Sequence, residues 1–166
     1  MDFRHLAATT TVLAFALIVI GVYTGAIGAD LACAAAWPFC DGWLGLFPAN
    51  WPSFVEWFHR LVALVTGLGI AGMTWIAWRG DYDRRIKYAT LIALAFLPFQ
   101  VILGANTVLG FFPITPPVSQ TLHHATAKII FGALVAATIL SYVLPRNGKG
   151  TTAADAATPE VASADD

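Results

Sequence analysis

Four long apolar runs, residues 6–27, 57–78, 88–110 and 118–144, decide what this chain can fold into. Each is long enough to cross a hydrocarbon core, which takes roughly 20 apolar residues as a helix. The chain is 58% hydrophobic and 11% charged, and its charges bunch between the runs instead of spreading along them. Together with a mean hydropathy of +0.70, this excludes an ordinary soluble domain and predicts an integral membrane protein. The runs are continuous, not alternating, so helices and not barrel strands satisfy the backbone in lipid. The expected fold is all-α: a four-helix transmembrane bundle over residues 1–146, with a loop at 28–56. The first run exceeds the roughly 7–15 residues of a signal-peptide core and is read as a span.

Basic residues set the expected orientation. Arg4 precedes the first run, Arg79, Arg84, Arg85 and Lys87 separate the second from the third, and Arg146 and Lys149 follow the fourth. The connections 28–56 and 111–117 hold no Lys or Arg. By the positive-inside rule both termini are cytoplasmic and those two loops face outward, in a multi-pass protein of the cell membrane. The tail 147–166 is Ala-, Thr- and Asp-rich and is expected to be disordered. The lipid bilayer is a partner by construction, and no nucleic-acid partner is expected.

The outer loop holds both cysteines, Cys33 and Cys40, on either side of a Trp-Pro turn. Two cysteines so placed on the oxidising face suit a short-range disulfide that shapes the loop. A redox-active pair is the sharper alternative, but the spacing is not Cys-x-x-Cys and no second pair exists to receive electrons.

Depth sorts the four histidines. His59 lies just inside the outer end of the second run, and His123 and His124 just inside the outer end of the fourth, whereas His5 sits at the cytoplasmic end. At about 1.5 Å per residue the outer sites lie within one or two turns of the same membrane face. Two imidazoles from facing helices, without a carboxylate cluster, suit the axial positions of a haem iron better than a hard cation. Small residues such as Gly67, Gly69, Gly72, Gly104, Ala105, Ala125, Ala127 and Gly132 are expected to let the helices part around a macrocycle. Interhelical hydrogen bonding is the plainer use of such histidines, though intramembrane ionisable groups are functional by default.

Adjacent helical residues point about 100° apart, so His123 and His124 do not both face one iron. His123 shares a stripe with Ala127 and Ile130 and is favoured as the ligand, with His124 as its alternative. His124 falls on a polar stripe with Gln120 and Lys128, and Lys128 inside a bilayer calls for a cavity, a haem propionate or a partner helix. Glu56 precedes His59 by three residues and shares its side of the helix. It is a candidate to accept a proton or stabilise positive charge, or simply an acid near a helix N-terminus. Arg60 divides similarly between a propionate partner and an interfacial residue.

These segments carry a resemblance. "TGAIGADLACAAAWPFCDG", "EWFHR", "FQVILGANTVLG" and "LHHATA" occur in order, and together resemble the haem A synthase family of cytochrome oxidase assembly proteins over roughly residues 21–132. The resemblance implies oxidation of a ring methyl of haem O to a formyl group, with a bound haem b for electron transfer. It implies His59 and His123 as haem ligands, Glu56 as the acid needed for reaction, and a Cys33–Cys40 disulfide. Family members usually carry eight helices in two similar halves, and this chain corresponds to one. Catalysis is therefore expected to need a homodimer or a second four-helix bundle, alongside a haem O supplier and cytochrome oxidase assembly factors. Two other readings stand beside it: a bis-histidine membrane cytochrome b or haem carrier without oxidation chemistry, and a thiol oxidoreductase centred on the cysteines.

Overall fold

The computed structural model describes residues 2–144 except Ala34, Ala35 and Leu46. The expected tail lies outside them. Four helices account for most of the chain: α1 (Phe3–Ala26), α2 (Trp51–Arg79), α3 (Arg84–Leu109) and α4 (Pro116–Val143). All four are long and apolar enough to cross a membrane. The protein is therefore an all-α, multi-pass membrane protein.

Helix α2 begins at Trp51, six residues before the apolar run that announced it. Asn50 caps it, its side chain accepting from the Ser53 N–H at 3.0 Å, and Pro52 follows in the first turn, where its missing N–H costs nothing. Glu56 consequently sits inside the helix and not at its mouth. Asp83 caps α3 by accepting from the Arg85 N–H at 2.8 Å. At the far end of α3, Gly110 stops the helix in the left-handed conformation, φ 62°, which a residue without Cβ adopts freely.

The helices close a ring in which α1 packs on α2, α2 on α3, α3 on α4 and α4 on α1. Among the described residues α2 and α4 share no backbone contact, nor do α1 and α3, so these pairs lie across the diagonals. Packing is most extensive within the sequential hairpins α1–α2 and α3–α4 and lighter at the two seams between them. The core is built of small and medium side chains, among them Ala7, Ile70, Met73, Ala93, Leu134 and Ala137. Hydroxyls stitch the seams: Thr11 and Thr138 meet at 2.8 Å between α1 and α4, and Thr74 donates to the Thr90 carbonyl at 3.1 Å between α2 and α3. Such bonds hold membrane helices together where lipid supplies no hydrophobic drive. Large apolar residues such as Phe15, Leu64, Leu68, Phe99 and Ile139 are exposed on the outside of the ring, as a lipid-facing surface requires.

Candidate functional site

His59 and His123 occupy matching positions on the two diagonal helices. Positions 7, 11, 14 and 18 residues after His59 are Thr66, Ile70, Met73 and Ala77, all buried. The same offsets from His123 give Ile130, Leu134, Ala137 and Ser141, also all buried. At about 100° per residue each histidine lies within about 40° of its stripe, so both imidazoles sit on core-facing sides. His124 is turned about 100° from His123 and Lys128 about 140°, and Lys128 is exposed on the outer face.

Each core-facing imidazole lies over a glycine of its hairpin partner. A Cβ on Gly21 of α1 would stand 3.1 Å from His59 Cε1, and one on Gly104 of α3 would stand 3.0 Å from His123 Cε1. Three residues on, Thr24 donates to the Gly21 carbonyl at 2.8 Å and Thr107 to the Gly104 carbonyl at 2.7 Å. The two hairpins thus repeat one unit, Gly-x-x-Thr on the first helix beneath a histidine on the second. The flanking residues repeat too, Glu56-x-x-His59-Arg60 against Gln120-x-x-His123-His124. This repeat was readable in the sequence and is the signal that would have picked out Gly21.

The hairpins differ in how they hold the ring. His123 Nδ1 lies 3.0 Å from the Gln100 backbone carbonyl, and its Nε2 lies 3.0 Å from the Gln100 side-chain nitrogen. A carbonyl only accepts and an amide nitrogen only donates, so the proton is on Nδ1 and Nε2 presents its lone pair. The Thr126 hydroxyl lies within hydrogen-bond reach of Gln100 Oε1 as well as of the Leu122 and His123 carbonyls, and donating to Oε1 favours the amide in that sense. Among the described residues His59 has no such partner. The residue matching Gln100, four before Gly21, is Leu17. Among the described residues two buried side-chain polar atoms lack a hydrogen-bond partner, His59 Nδ1 and Arg60 Nη2.

Glu56 is buried, 7% exposed, and accepts from Arg60 Nε at 2.9 Å. Arg60 also donates through Nη1 to the carbonyls of Ala36 at 2.9 Å and Phe39 at 2.7 Å. Its main observed task is to clamp the 28–50 loop onto α2, which neither sequence reading anticipated. Cys33 and Cys40 are joined in a disulfide, and both are buried. Beside them Ser53, fully buried at the start of α2, donates to Asp41 Oδ2 at 2.8 Å. Cys33, Cys40 and Asp41 cluster closely, but sulfurs bonded to each other offer no thiolate to a metal.

Of the small residues expected to make room, Gly104 instead cradles an imidazole. Gly69 packs on Thr10 of α1, Gly67 on Leu97 of α3, and Gly132 faces open space. Two concavities of the bundle surface lie beside Thr74 and Trp78 and beside Leu97 and Val101.

Fold and site define a multi-pass membrane protein, a four-helix bundle in which each of two diagonal helices carries a half-buried imidazole on its core-facing side. The family model described as cytochrome oxidase assembly protein matches residues 48–163. The chain belongs to that family, and the resemblance drawn from its sequence is borne out. It is 26% identical to "Heme A synthase" of Bacillus licheniformis over 141 residues, covering 84% of this chain and 45% of that protein. It is also 35% identical to "Protoheme IX farnesyltransferase" of Halobacterium salinarum over 139 residues, 82% of this chain and 28% of that one. A Haloarcula marismortui protein of the same name is 33% identical, with 81% and 28% covered. The chain thus spans less than half the length of these curated relatives.

Proposed function

We propose that this four-helix chain acts as a haem A synthase that oxidises a ring methyl of haem O to a formyl group, with His59 and His123 as the residues that would hold a bound haem. The observation that carries the reading is the repeated His-over-Gly unit, which aims one imidazole inward from each diagonal helix. The residues fit a haem: His123 is in the tautomer that ligates through Nε2, and the buried Nδ1 of His59 and Nη2 of Arg60 have no competing partner. The lighter seams between the hairpins are where the bundle opens most cheaply. The twofold sequence repeat would give equivalent ligands on either side.

When bound, haem b supplies one-electron transfer. His59 and His123 would hold the iron, and Arg60, whose Nη2 has no hydrogen-bond partner, is a cation available to a propionate. Glu56, three residues before His59, is the acid available to take a proton or to stabilise positive charge at the substrate haem. One chain offers one inward histidine pair and hence one haem position. Prosthetic and substrate haems together then require a homodimer or a second bundle, in line with the chain's span of its "Heme A synthase" relatives. The cysteine loop is assigned to the outer face of the cell membrane and both termini to the cytoplasm, from the distribution of basic residues. Matches to proteins named for farnesyl transfer to protohaem IX favour a supplier of farnesylated haem as a functional neighbour.

One observation favours a second reading. Glu56 is engaged by Arg60, which clamps the loop, so Glu56 has a structural use independent of chemistry. A haem-binding cytochrome or carrier would need no more than that. The methyl is oxidised in two successive hydroxylations, each taking one dioxygen, two electrons and two protons and releasing one water, and the resulting gem-diol loses water to give the formyl group. Supplying haem O, dioxygen and a reductant to wild type and to Glu56→Gln, and analysing extracted haem by mass, separates the two readings. Synthase activity predicts formyl product from wild type and none from the variant, with haem still bound in both. No product from wild type, alone or as an assembled dimer, would leave the cytochrome reading in place.

A further inference from the structure

Gln100 stands against the imidazole of His123, and its role there rests on the assignment of His123 as a haem ligand. The lone pair of His123 Nε2 is the one an iron would use, and in the structure the Gln100 side-chain N–H points at it from 3.0 Å. A lone pair serves one acceptor role at a time, so amide and iron exclude each other there. We propose that Gln100 is a positioning residue that acts through His123, a placeholder that occupies the axial position and yields it on haem binding.

Three features fit this role. First, Gln100 contacts His123 twice by different groups. Its backbone carbonyl accepts from Nδ1 and its side chain donates to Nε2. Only the second contact need break on ligation. The carbonyl contact remains to fix tautomer and ring orientation, as carbonyls hydrogen-bonded to the far nitrogen of metal-bound histidines do. Second, Thr126 on the same helix as His123 lies within hydrogen-bond reach of Gln100 Oε1, and donating to it favours the amide directed toward Nε2. Third, the other hairpin lacks the device, with Leu17 in the matching place and His59 Nδ1 without a partner. The two imidazoles, equivalent in backbone placement, are thereby made unequal: His123 is restrained and capped, His59 is neither. An imidazole inside the membrane is costly when its polar atoms are unpaired. The amide offsets that cost for His123 while leaving it in the ligating tautomer.

The test is an absorbance titration of the full-length, detergent-solubilised protein with ferric protohaem chloride, comparing wild type, Gln100→Leu, Gln100→Asn, Thr126→Val and His123→Ala. Removing the competing N–H should tighten binding about five-fold, the worth of one neutral hydrogen bond. Asn is polar but a methylene too short to reach Nε2, so it should act like Leu. A purely packing effect would separate Leu from Asn. Thr126→Val, which leaves the core apolar and merely frees the amide, should tighten binding by a smaller factor and serves if the Gln100 variants do not fold. Without added haem, nitrogen-15 spectra of labelled histidine should report an Nδ1-protonated His123 in wild type and in Gln100→Leu alike, with the Nε2 signal moving only in the latter. Unchanged or weaker binding in Gln100→Leu and Gln100→Asn, with binding lost in His123→Ala, would overturn the placeholder role. Binding intact in His123→Ala would instead overturn the ligand assignment beneath it.

Discussion

Arg60 Nε donates to Glu56 Oε1 across 2.9 Å, one turn along α2, and the same guanidinium grips the carbonyls of Ala36 and Phe39. Loop, guanidinium and carboxylate are therefore one mechanical unit. Replacing Arg60 by Ala leaves Glu56 without this partner and the loop without its clamp. Hydrogen bonds to charged groups contribute about 1.5–3 kcal/mol, and the expected loss is about 2 kcal/mol. Arg60→Lys should recover less than half, because an ammonium cannot present a planar fork to several acceptors at once. Thermal unfolding in detergent, with limited proteolysis of the 28–50 loop, checks both.

Three glycines separate the cradle from ordinary helix surface. Gly21→Ala and Gly104→Ala place a methyl about 3 Å from an imidazole carbon, and overpacking of this kind costs roughly 1–3 kcal/mol. Each should displace its histidine and shift or broaden the haem band. Gly132, with nothing within 4 Å of an added Cβ, should accept Ala with unchanged spectrum and up to about 1 kcal/mol of gain from helix propensity. A spectral change in Gly132→Ala equal to that in Gly104→Ala would count against the cradle.

The disulfide should prove structural. Cys33→Ser with Cys40→Ser removes a short covalent loop and is expected to cost about 2 kcal/mol of stability while leaving the haem band in place. Loss of all activity in that variant, together with silent His59→Ala and His123→Ala variants, would revive the thiol reading.

Length and hydropathy alone carried the four spans, because apolar runs of this size have few other uses. The start of α2 was missed by six residues. Hydropathy ignores caps, yet Asn50 and Pro52 were there to be read. The choice of His123 over His124 rested on helical periodicity, and both rings are half-buried in the structure, so the choice stands as a proposal. The Arg60 clamp was not legible, since its acceptors are backbone carbonyls more than twenty residues away. Backbone acceptors leave no mark on residue type. Gln100 was visible as a family-like residue, but its hold on His123 depends on how α3 packs on α4. The internal repeat was legible and went unread, because its two copies share only Gly-x-x-Thr and His at unequal spacing in the chain.

The central claim is that His59 and His123 together bind one haem. The most direct measurement is the visible absorption spectrum of the purified, haem-supplemented protein, wild type beside His59→Ala, His123→Ala and His124→Ala, with mass analysis of the extracted haem. A low-spin band present in wild type and His124→Ala but lost in the other two is the expected result, with haem O or haem A among the extracts. A band that survives in His123→Ala and disappears in His124→Ala, or no band in any of the four proteins, would contradict it.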